Sequence, residues 1–118
     1  MPETDSFNTR PGVQFRTKGA VAAAFLLFGT SFLFVNSHLT AHQDNARDRI
    51  KDLRKINAML SLPKELPIRR AKHLDISDKF DCVFWAGDLN FRLEQSREVV
   101  IREEEDSMRD HDQLRSIR

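Results

Sequence analysis

The sequence is poor in the residues and charge patterns that define several protein classes. Cys82 is the only cysteine among 118 residues. This excludes an internal disulfide and a cysteine-based zinc site, and it favours a reducing intracellular setting. An excess of one charge is also missing, because 19 Lys and Arg residues are balanced by 18 Asp and Glu residues. This balance argues against a dedicated nucleic-acid-binding protein, which carries a strong basic excess.

A hydrophobic run long enough for a transmembrane helix is absent too. The run AVAAAFLLFGTSFLFV at residues 20–35 falls short of the roughly 20 apolar residues that a spanning helix needs, and Gly29 interrupts it. Basic residues precede the run, so the hydrophobic region of a signal peptide is one alternative. We instead predict two strands, residues 20–27 and 32–37, joined by a hairpin turn at FGTS. Because both strands are apolar throughout, we expect their sheet to be covered on both faces.

One amphipathic helix is predicted after the hairpin. Apolar residues recur at helical spacing over residues 43–60, while arginines and lysines occupy the other sides. Asp44 or Asn45 is a suitable N-cap for this helix. By contrast, residues 1–15 are polar, contain two prolines and show no period. This composition predicts an irregular N-terminal segment.

A third strand is predicted late in the chain. The apolar stretch CVFWA begins at Cys82 and predicts a short buried strand, with polar residues just beyond its C-terminal end. Pro63 and Pro67 mark a connecting loop before it, and the charge-dense stretch from Glu94 predicts a weak helix or a flexible tail. The order strand, strand, helix, strand favours a layered α/β or α+β sheet protein.

Two segments that leave the predicted strands carry the side chains best suited to chemistry. They are VNSHLTAH, with Asn36, His38, Thr40 and His42, and FWAGDLNFRL, with Asp88 and Asn90. Gly87 lets the backbone turn sharply or approach a substrate. In an extended chain Asp88 and Asn90 point to the same side. A carboxylate beside a carboxamide can take a proton from water and hold a phosphoryl oxygen.

Each of these residues has a structural alternative. On spacing alone, an Asx turn that caps the strand is the favoured interpretation of Asp88 and Asn90. A lone His38 is more often a satisfied buried histidine than a catalytic one. The spacing of His38 and His42 matches a metal-binding pair, but no glutamate-bearing zinc motif accompanies it. Cys82 is typical of a small core residue rather than of a nucleophile.

The longer motifs around these residues resemble those of one enzyme family. TKGAVAAAFLLFGTSFLFVNSHLTAH followed by FDCVFWAGDLNFRL is similar to the inositol polyphosphate 5-phosphatases, above all to their pharbin-like class. The similarity covers residues 16–93 and, more thinly, HDQL at 111–114. A lone GDxN is widespread in the endonuclease/exonuclease/phosphatase superfamily, whereas its occurrence with NSHLT and FRL is specific. The resemblance implies that residues 16–118 are a fragment of a DNase-I-like four-layer β-sandwich flanked by helices.

The resemblance also implies roles for individual residues. Asp88 matches the residue that orients and deprotonates the attacking water, Asn90 the one that holds the scissile phosphate, and His38 the histidine that contacts this phosphate. Asn36 and Arg92 are the remaining substrate-binding candidates. Their structural alternatives are loop shaping for Asn36 and packing for Arg92.

The cofactor, substrate and location follow from the same resemblance. The family uses magnesium to hydrolyse the 5-phosphate of phosphoinositides or inositol phosphates, so it implies Mg²⁺ as cofactor and such a head group as partner. It further implies a cytoplasmic protein with peripheral contact at membrane surfaces, no transmembrane span and no nucleic-acid partner. Arg49 and Asp52 match a helix pair with a structural role.

Departures from the family pattern limit what this chain is expected to do alone. It lacks the family's N-terminal strands with their magnesium-ligating glutamate, and it lacks the later motif whose basic residues lie near the 4-phosphate. We therefore expect the middle of a catalytic domain, with no metal ligand of its own and with little or no activity by itself. Two alternatives stay open. One is a nuclease of the same superfamily, which the near-neutral charge disfavours, and the other is a non-catalytic binding or regulatory fragment.

Overall fold

The fold is built on one four-stranded sheet. The computed structural model describes residues 1–10, 17–68, 73–92 and 97–116 of the chain. The strands are β1 (Glu3–Asn8), β2 (Gly19–Leu27), β3 (Thr30–His38) and β4 (Cys82–Asp88), and they lie in the order β1-β2-β3-β4. The first three are antiparallel neighbours, whereas β4 runs parallel to β3. This mixed sheet with helices belongs to the α+β class that the sequence predicts.

Helices complete the described part of the chain. They are α1 (Ala46–Met59), α2 (Arg97–Ser116) and two short 3-10 helices, Gln43–Asn45 and Ile76–Lys79. The amphipathic helix predicted over residues 43–60 is confirmed. Of the charged stretch from Glu94, the described part, Arg97–Ser116, adopts the helical one of its two predicted states, and residues 94–96 lie outside the described residues. Among the described residues, no helix is both long and apolar enough to cross a membrane.

The predicted hairpin is present between β2 and β3. Leu27 pairs with Thr30, so the loop has only two residues, Phe28 and Gly29, and both have positive φ angles, 48° and 80°. Two left-handed residues produce the tight turn whose twist matches that of the flanking strands. The apolar run at 20–35 therefore folds back on itself as two neighbouring strands.

One face of the sheet forms the hydrophobic core with α1. Ala22, Ala24, Leu33 and Val35 alternate along β2 and β3, and each is at most 1% exposed. Ile56 of α1 is fully buried and belongs to the same apolar cluster. Because strand side chains alternate between faces, the core takes every second residue of the hairpin.

The opposite face is open, so the expectation that both faces are covered is wrong. Val21, Phe34 and Phe84 are 59%, 43% and 50% exposed. Phe34 stacks on Phe84 with ring centroids 4.8 Å apart, and Phe25 stacks on both Phe32 and Phe34. We call the surface formed by these five residues the open face. The expectation failed because, in the described chain, the core cluster with α1 lies against one face only.

The prediction of an irregular segment over residues 1–15 is wrong where the chain forms β1. Residues Glu3–Asn8 pair with β2 along their whole length. The strand has no apolar period because two of the three half-buried positions on its inner side are carboxylates, Glu3 and Asp5. Residues 11–15 lie outside the described residues, and the domain boundary between residues 15 and 16 stays a prediction.

These two carboxylates hold the loop that follows α1. The side chain of Asp5 accepts a hydrogen bond from the backbone N–H of Ser61 at 2.6 Å. The side chain of Glu3 accepts three, from the backbone N–H groups of Lys64, Glu65 and Leu66 at 2.6, 2.6 and 2.8 Å. Burial raises the pKa of Glu3, but these donors and the Lys64 ammonium outweigh it and hold the pKa below its usual value.

The predicted N-cap of α1 is confirmed in position for Asn45 but not in its bonding. Asn45 occupies the N-cap position, yet it makes no side-chain capping bond. Its amide Nδ2 instead donates to the Ala41 carbonyl at 2.8 Å, because the side chain is used to close the loop between β3 and α1. Asp44 lies within the preceding 3-10 helix, whose own N-cap position is held by His42.

Two charged residues of α1 face inward and fix the same loop. Arg49 is 3% exposed and Asp52 is 5% exposed. The Asp52 carboxylate accepts bonds from the Thr40 N–H at 2.9 Å and from the Thr40 hydroxyl at 2.5 Å. Arg49 donates to the His42 carbonyl at 2.5 Å. Their predicted structural role is confirmed, since both bind the chain just beyond the end of β3.

The bonds to Glu3 predict an acid-dependent loss of stability. A carboxyl group with a lowered folded-state pKa stabilises the fold fully above its unfolded-state pKa, and this contribution is lost as pH falls through the folded-state pKa. We therefore expect the free energy of unfolding to drop less between pH 7 and pH 3 in Glu3→Gln than in the wild type. Urea unfolding at both pH values measures this difference. Glu98→Gln, an exposed change on α2, is the matched control, and equal drops in wild type and Glu3→Gln would contradict the prediction.

Candidate active site

The parallel pairing of β3 and β4 brings the two predicted chemical segments together. In its register, His38 lies opposite Asp88 and Asn36 lies opposite Ala86. The Nε2 atom of His38 is 3.6 Å from Oδ2 of Asp88. The backbone N–H of Leu39 donates to the Asp88 carbonyl at 3.0 Å, which continues the pairing past the strand ends. Residues far apart in sequence therefore meet at the C-terminal ends of β3 and β4.

Both side chains of this pair are accessible from solvent. The side chains of His38 and Asp88 are 48% and 66% exposed. With Asn36, His38 also lines an open pocket of about 460 Å³ that reaches the first residues of β2. A buried, satisfied histidine was the structural alternative for His38, and this exposure contradicts it. The pair is placed to meet a molecule arriving from outside.

Asn90 bends the chain instead of extending it. Its φ angle is 51°, in the left-handed region, so Asp88 and Asn90 do not have the same-side relation that an extended chain would give them. The backbone N–H of Asn90 donates to Oδ1 of Asp88 at 3.2 Å, which is an Asx-turn contact. Its amide Nδ2 donates to the Leu39 carbonyl at 2.9 Å. The Asx turn and the candidate site are thus one structure, because the turn fixes one oxygen of Asp88 and ties the loop to β3.

Arg92 is attached to this turn. Its Nη2 donates to Oδ1 of Asn90 at 3.2 Å, and the residue is exposed. A guanidinium has five N–H donors, so this one contact leaves most of them for other acceptors. The structure therefore places Arg92 at the rim of the site, attached to Asn90.

Gly87 allows β4 to lie close to β3 at the site. Its φ angle is 116°, and a Cβ atom added there would overlap the Ser37 carbonyl oxygen and lie 2.5 Å from Oδ1 of Asn36. The close approach expected at Gly87 is therefore made to the neighbouring strand. The side chain of Asn36 lies over the bare glycine, two residues before His38.

Other candidates from the sequence are not brought into the site as ligands. The Thr40 hydroxyl is engaged by Asp52 and by Nη2 of Arg10, the latter at 2.7 Å. Cys82 is half-buried at the start of β4, away from the strand end. Within the described ranges, no group of three or more His, Cys, Asp or Glu side chains could hold a metal ion.

Lys18 is a site residue that the sequence reasoning missed. Its Nζ lies 2.6 Å from Nε2 of His38. The residue precedes β2, whose first residue, Gly19, pairs with His38. The sequence signal that could have identified Lys18 is its position in TKGA, the first part of the motifs that resemble the 5-phosphatases.

The comparison with known families assigns the class of protein. Residues 5–118 match the family described as endonuclease/exonuclease/phosphatase family 2. The chain belongs to this family.

Several individual relatives that the chain resembles are named as phosphoinositide 5-phosphatases. The chain is 41% identical over 101 residues to human phosphatidylinositol polyphosphate 5-phosphatase type IV, a match covering 83% of this chain and 16% of the relative. It is 41% identical over 91 residues to zebrafish (Danio rerio) phosphatidylinositol 3,4,5-trisphosphate 5-phosphatase 2B, covering 77% of this chain and 7% of that protein. To rat synaptojanin-2 it is 38% identical over 96 residues, which is 81% of this chain and 6% of the relative. The resemblance stated from the motifs is confirmed.

A solved structure confirms the fold. The inositol polyphosphate 5-phosphatase domain of SPsynaptojanin, in complex with inositol (1,4)-bisphosphate and calcium, matches with a TM-score of 0.62 and 30% identity. The match covers 86% of this chain and 26% of that one. The chain thus spans about a quarter of the solved domain and a smaller share of the curated relatives.

The environment of Gly87 predicts a sharp difference between two glycine substitutions. Gly87→Ala should lower the free energy of unfolding by more than about 2 kcal/mol, because a strained φ costs about 1–3 kcal/mol and the new methyl group overlaps backbone. Gly29→Ala, in the open hairpin turn with no atom within 4 Å of the added carbon, should cost only about 1 kcal/mol. Thermal and urea unfolding of the two variants measure both costs. Equal losses would contradict the close approach of β4 to β3.

Proposed function

We propose that this chain carries the water-activating and phosphate-contacting part of a phosphoinositide 5-phosphatase domain. The reaction is hydrolysis of the 5-phosphate of a phosphoinositide or inositol polyphosphate. The observation that supports it most is the meeting of His38 and Asp88 at the ends of two parallel strands. These are the residues that the family motifs NSHLT and FWAGDLNFRL carry, and both side chains are open to solvent.

Asp88 is the proposed general base. Its Oδ1 accepts the Asn90 N–H, which orients the carboxylate, while Oδ2 has no hydrogen bond to His38 at 3.6 Å. Oδ2 is therefore available to accept a proton from water as the water oxygen attacks phosphorus. The P–O bond to the inositol ring breaks, and the leaving oxygen takes up a proton. A positioned general base of this kind contributes about 10²–10⁴-fold to a rate.

His38, Asn90, Asn36 and Arg92 are the proposed contacts of the phosphate. A phosphomonoester is dianionic, so its hydrolysis needs donors and positive charge where negative charge builds up. His38 and Asn90 lie next to the Asp88 carboxylate, since Nε2 of His38 is 3.6 Å from Oδ2 and the Asn90 N–H donates to Oδ1. Arg92 adds a permanent positive charge at the rim, and Asn36 lines the pocket beside His38.

Magnesium is the proposed cofactor, and we propose that part of its ligand set comes from outside the described residues. These residues hold no cluster of three or more ligating side chains. When bound, Mg²⁺ would supply Lewis acidity and neutralise phosphoryl charge. We accordingly propose that the chain by itself has little or no activity, and that it needs further parts of a 5-phosphatase domain. Cytoplasmic location and contact with a membrane surface belong to the same proposal.

A non-catalytic binding or regulatory piece is the second candidate. It is retained because the chain spans only 26% of the solved 5-phosphatase structure that it matches. It differs from the first proposal in requiring no role for Oδ2 of Asp88, whereas the 5-phosphatase proposal depends on that atom.

A hybrid protein tests the proposed function. We would replace the matching segment of the human type IV relative with this chain, and measure phosphate release from phosphatidylinositol 3,4,5-trisphosphate in Mg²⁺. The hybrid should be active and should lose activity in EDTA, while the chain alone should release almost no phosphate. Asp88→Asn in the hybrid should lower kcat about 100-fold or more, because the base is lost.

Asp44→Asn is the control. It removes an exposed carboxylate from the segment between β3 and α1 and should leave the rate unchanged. Full activity of the Asp88→Asn hybrid would refute the role of Asp88. A folded but inactive hybrid would favour the non-catalytic candidate. Nicking of plasmid DNA without phosphate release would favour a nuclease.

A further inference from the structure

Lys18 determines which nitrogen of His38 can carry a proton. Its Nζ lies 2.6 Å from Nε2 of His38, within hydrogen-bonding distance. A lysine ammonium has three N–H donors and no acceptor. Nε2 must therefore accept this bond, so the neutral imidazole carries its single proton on Nδ1.

The same Nε2 atom is also the one that faces Asp88. The distance from Nε2 to Oδ2 of Asp88 is 3.6 Å, too long for a hydrogen bond. A carboxylate beside an imidazole favours a proton on the facing nitrogen, and such a proton would let the two groups approach and bond. Lys18 and Asp88 thus compete for the tautomer of His38, and the observed distances favour Lys18.

We propose that Lys18 is a positioning residue of the site, which holds His38 in the Nδ1–H tautomer and so keeps Oδ2 of Asp88 free to act as base. Only the role of Oδ2 as a base rests on the proposed function; the tautomer of His38 does not. Lys18 also brings a fixed positive charge beside His38. One N–H of the ammonium serves the imidazole, and two remain for oxygens of an anionic phosphate ester.

The backbone around Lys18 is well placed for this role. The Lys18 carbonyl accepts the N–H of Thr9 at 3.1 Å, and the next residue, Gly19, pairs with both Asn8 and His38. The strand register therefore fixes the position of the Lys18 backbone relative to His38. The two other cations near the site contact different residues, since Arg10 donates to Thr40 and Arg92 donates to Asn90.

Nitrogen NMR of the imidazole rings tests the proposal on the full chain, with no substrate or metal present. Two-bond ¹⁵N–¹H spectra distinguish a protonated ring nitrogen from an unprotonated one, and the His38 signals are assigned by their loss in His38→Gln. At a pH where the ring is neutral, wild-type His38 should show the Nδ1–H tautomer. Finding Nε2–H in the wild type would overturn the proposal, whatever the variants do.

Three variants extend the test. Lys18→Met should convert His38 to the Nε2–H tautomer, because Asp88 is then the charged group facing Nε2. Lys18→Arg should retain Nδ1–H, since a guanidinium also only donates. Lys55→Met, an exposed change on α1, should leave the spectrum unchanged. An unchanged tautomer in folded Lys18→Met would refute the role of Lys18, whereas an inactive hybrid enzyme with the expected tautomers would refute only the proposed function.

Discussion

The parallel pairing of β3 and β4 is the contact on which the candidate site depends. Each strand ends in one of the polar segments, and the register places His38 beside Asp88. A shift of one residue would turn one of these side chains to the opposite face, because strand side chains alternate. Three features hold the register beyond the ladder itself: the Leu39–Asp88 backbone bond, the Asn90–Leu39 bond and the bare Cα of Gly87.

The open face and the candidate site are two parts of one continuous surface. Along β3, Phe32, Phe34, Asn36 and His38 follow each other at every second position and so share a face. On β4, Phe84 and Asp88 follow the same order, with Phe84 stacked on Phe34. Both strands thus change from aromatic to polar toward their C-terminal ends, β3 at Asn36 and β4 two residues later in the register, at Asp88 opposite His38. The aromatic side chains stack across the two strands, and the polar side chains follow them at the C-terminal ends of β3 and β4.

Much of this arrangement could be predicted from local patterns. The apolar run broken by Gly29 indicated the hairpin, and the helical spacing indicated α1. The motifs, through their resemblance to a family, indicated His38, Asp88 and Asn90. Strand β1 could not be found in this way, since its inner side carries Glu3 and Asp5, which are satisfied by backbone donors from a distant loop. Such partners are invisible to any periodicity.

Two further features depended on the three-dimensional contacts. The side chain of Asn90 donates to the carbonyl of Leu39, the residue that follows β3, and this contact holds the bend. Spacing alone indicated an Asx turn of Asp88 and Asn90, but it did not indicate that this turn is tied to β3. The position of Lys18 follows from the antiparallel register of β2 and β3, which brings the start of one strand to the end of the other. The open face likewise depends on which elements pack against the sheet. The apolar strands alone predicted that both faces are covered.

The most direct test of the central claim is the register of β3 against β4 in solution. Scalar coupling across hydrogen bonds and interstrand nuclear Overhauser effects in the labelled chain report this register residue by residue. We predict a coupling between the Leu39 amide nitrogen and the Asp88 carbonyl carbon, with a parallel pattern of contacts from Phe32–Cys82 to His38–Asp88. A folded chain in which the Leu39 amide is bonded to a different carbonyl, or in which the two strands are antiparallel, would contradict the account.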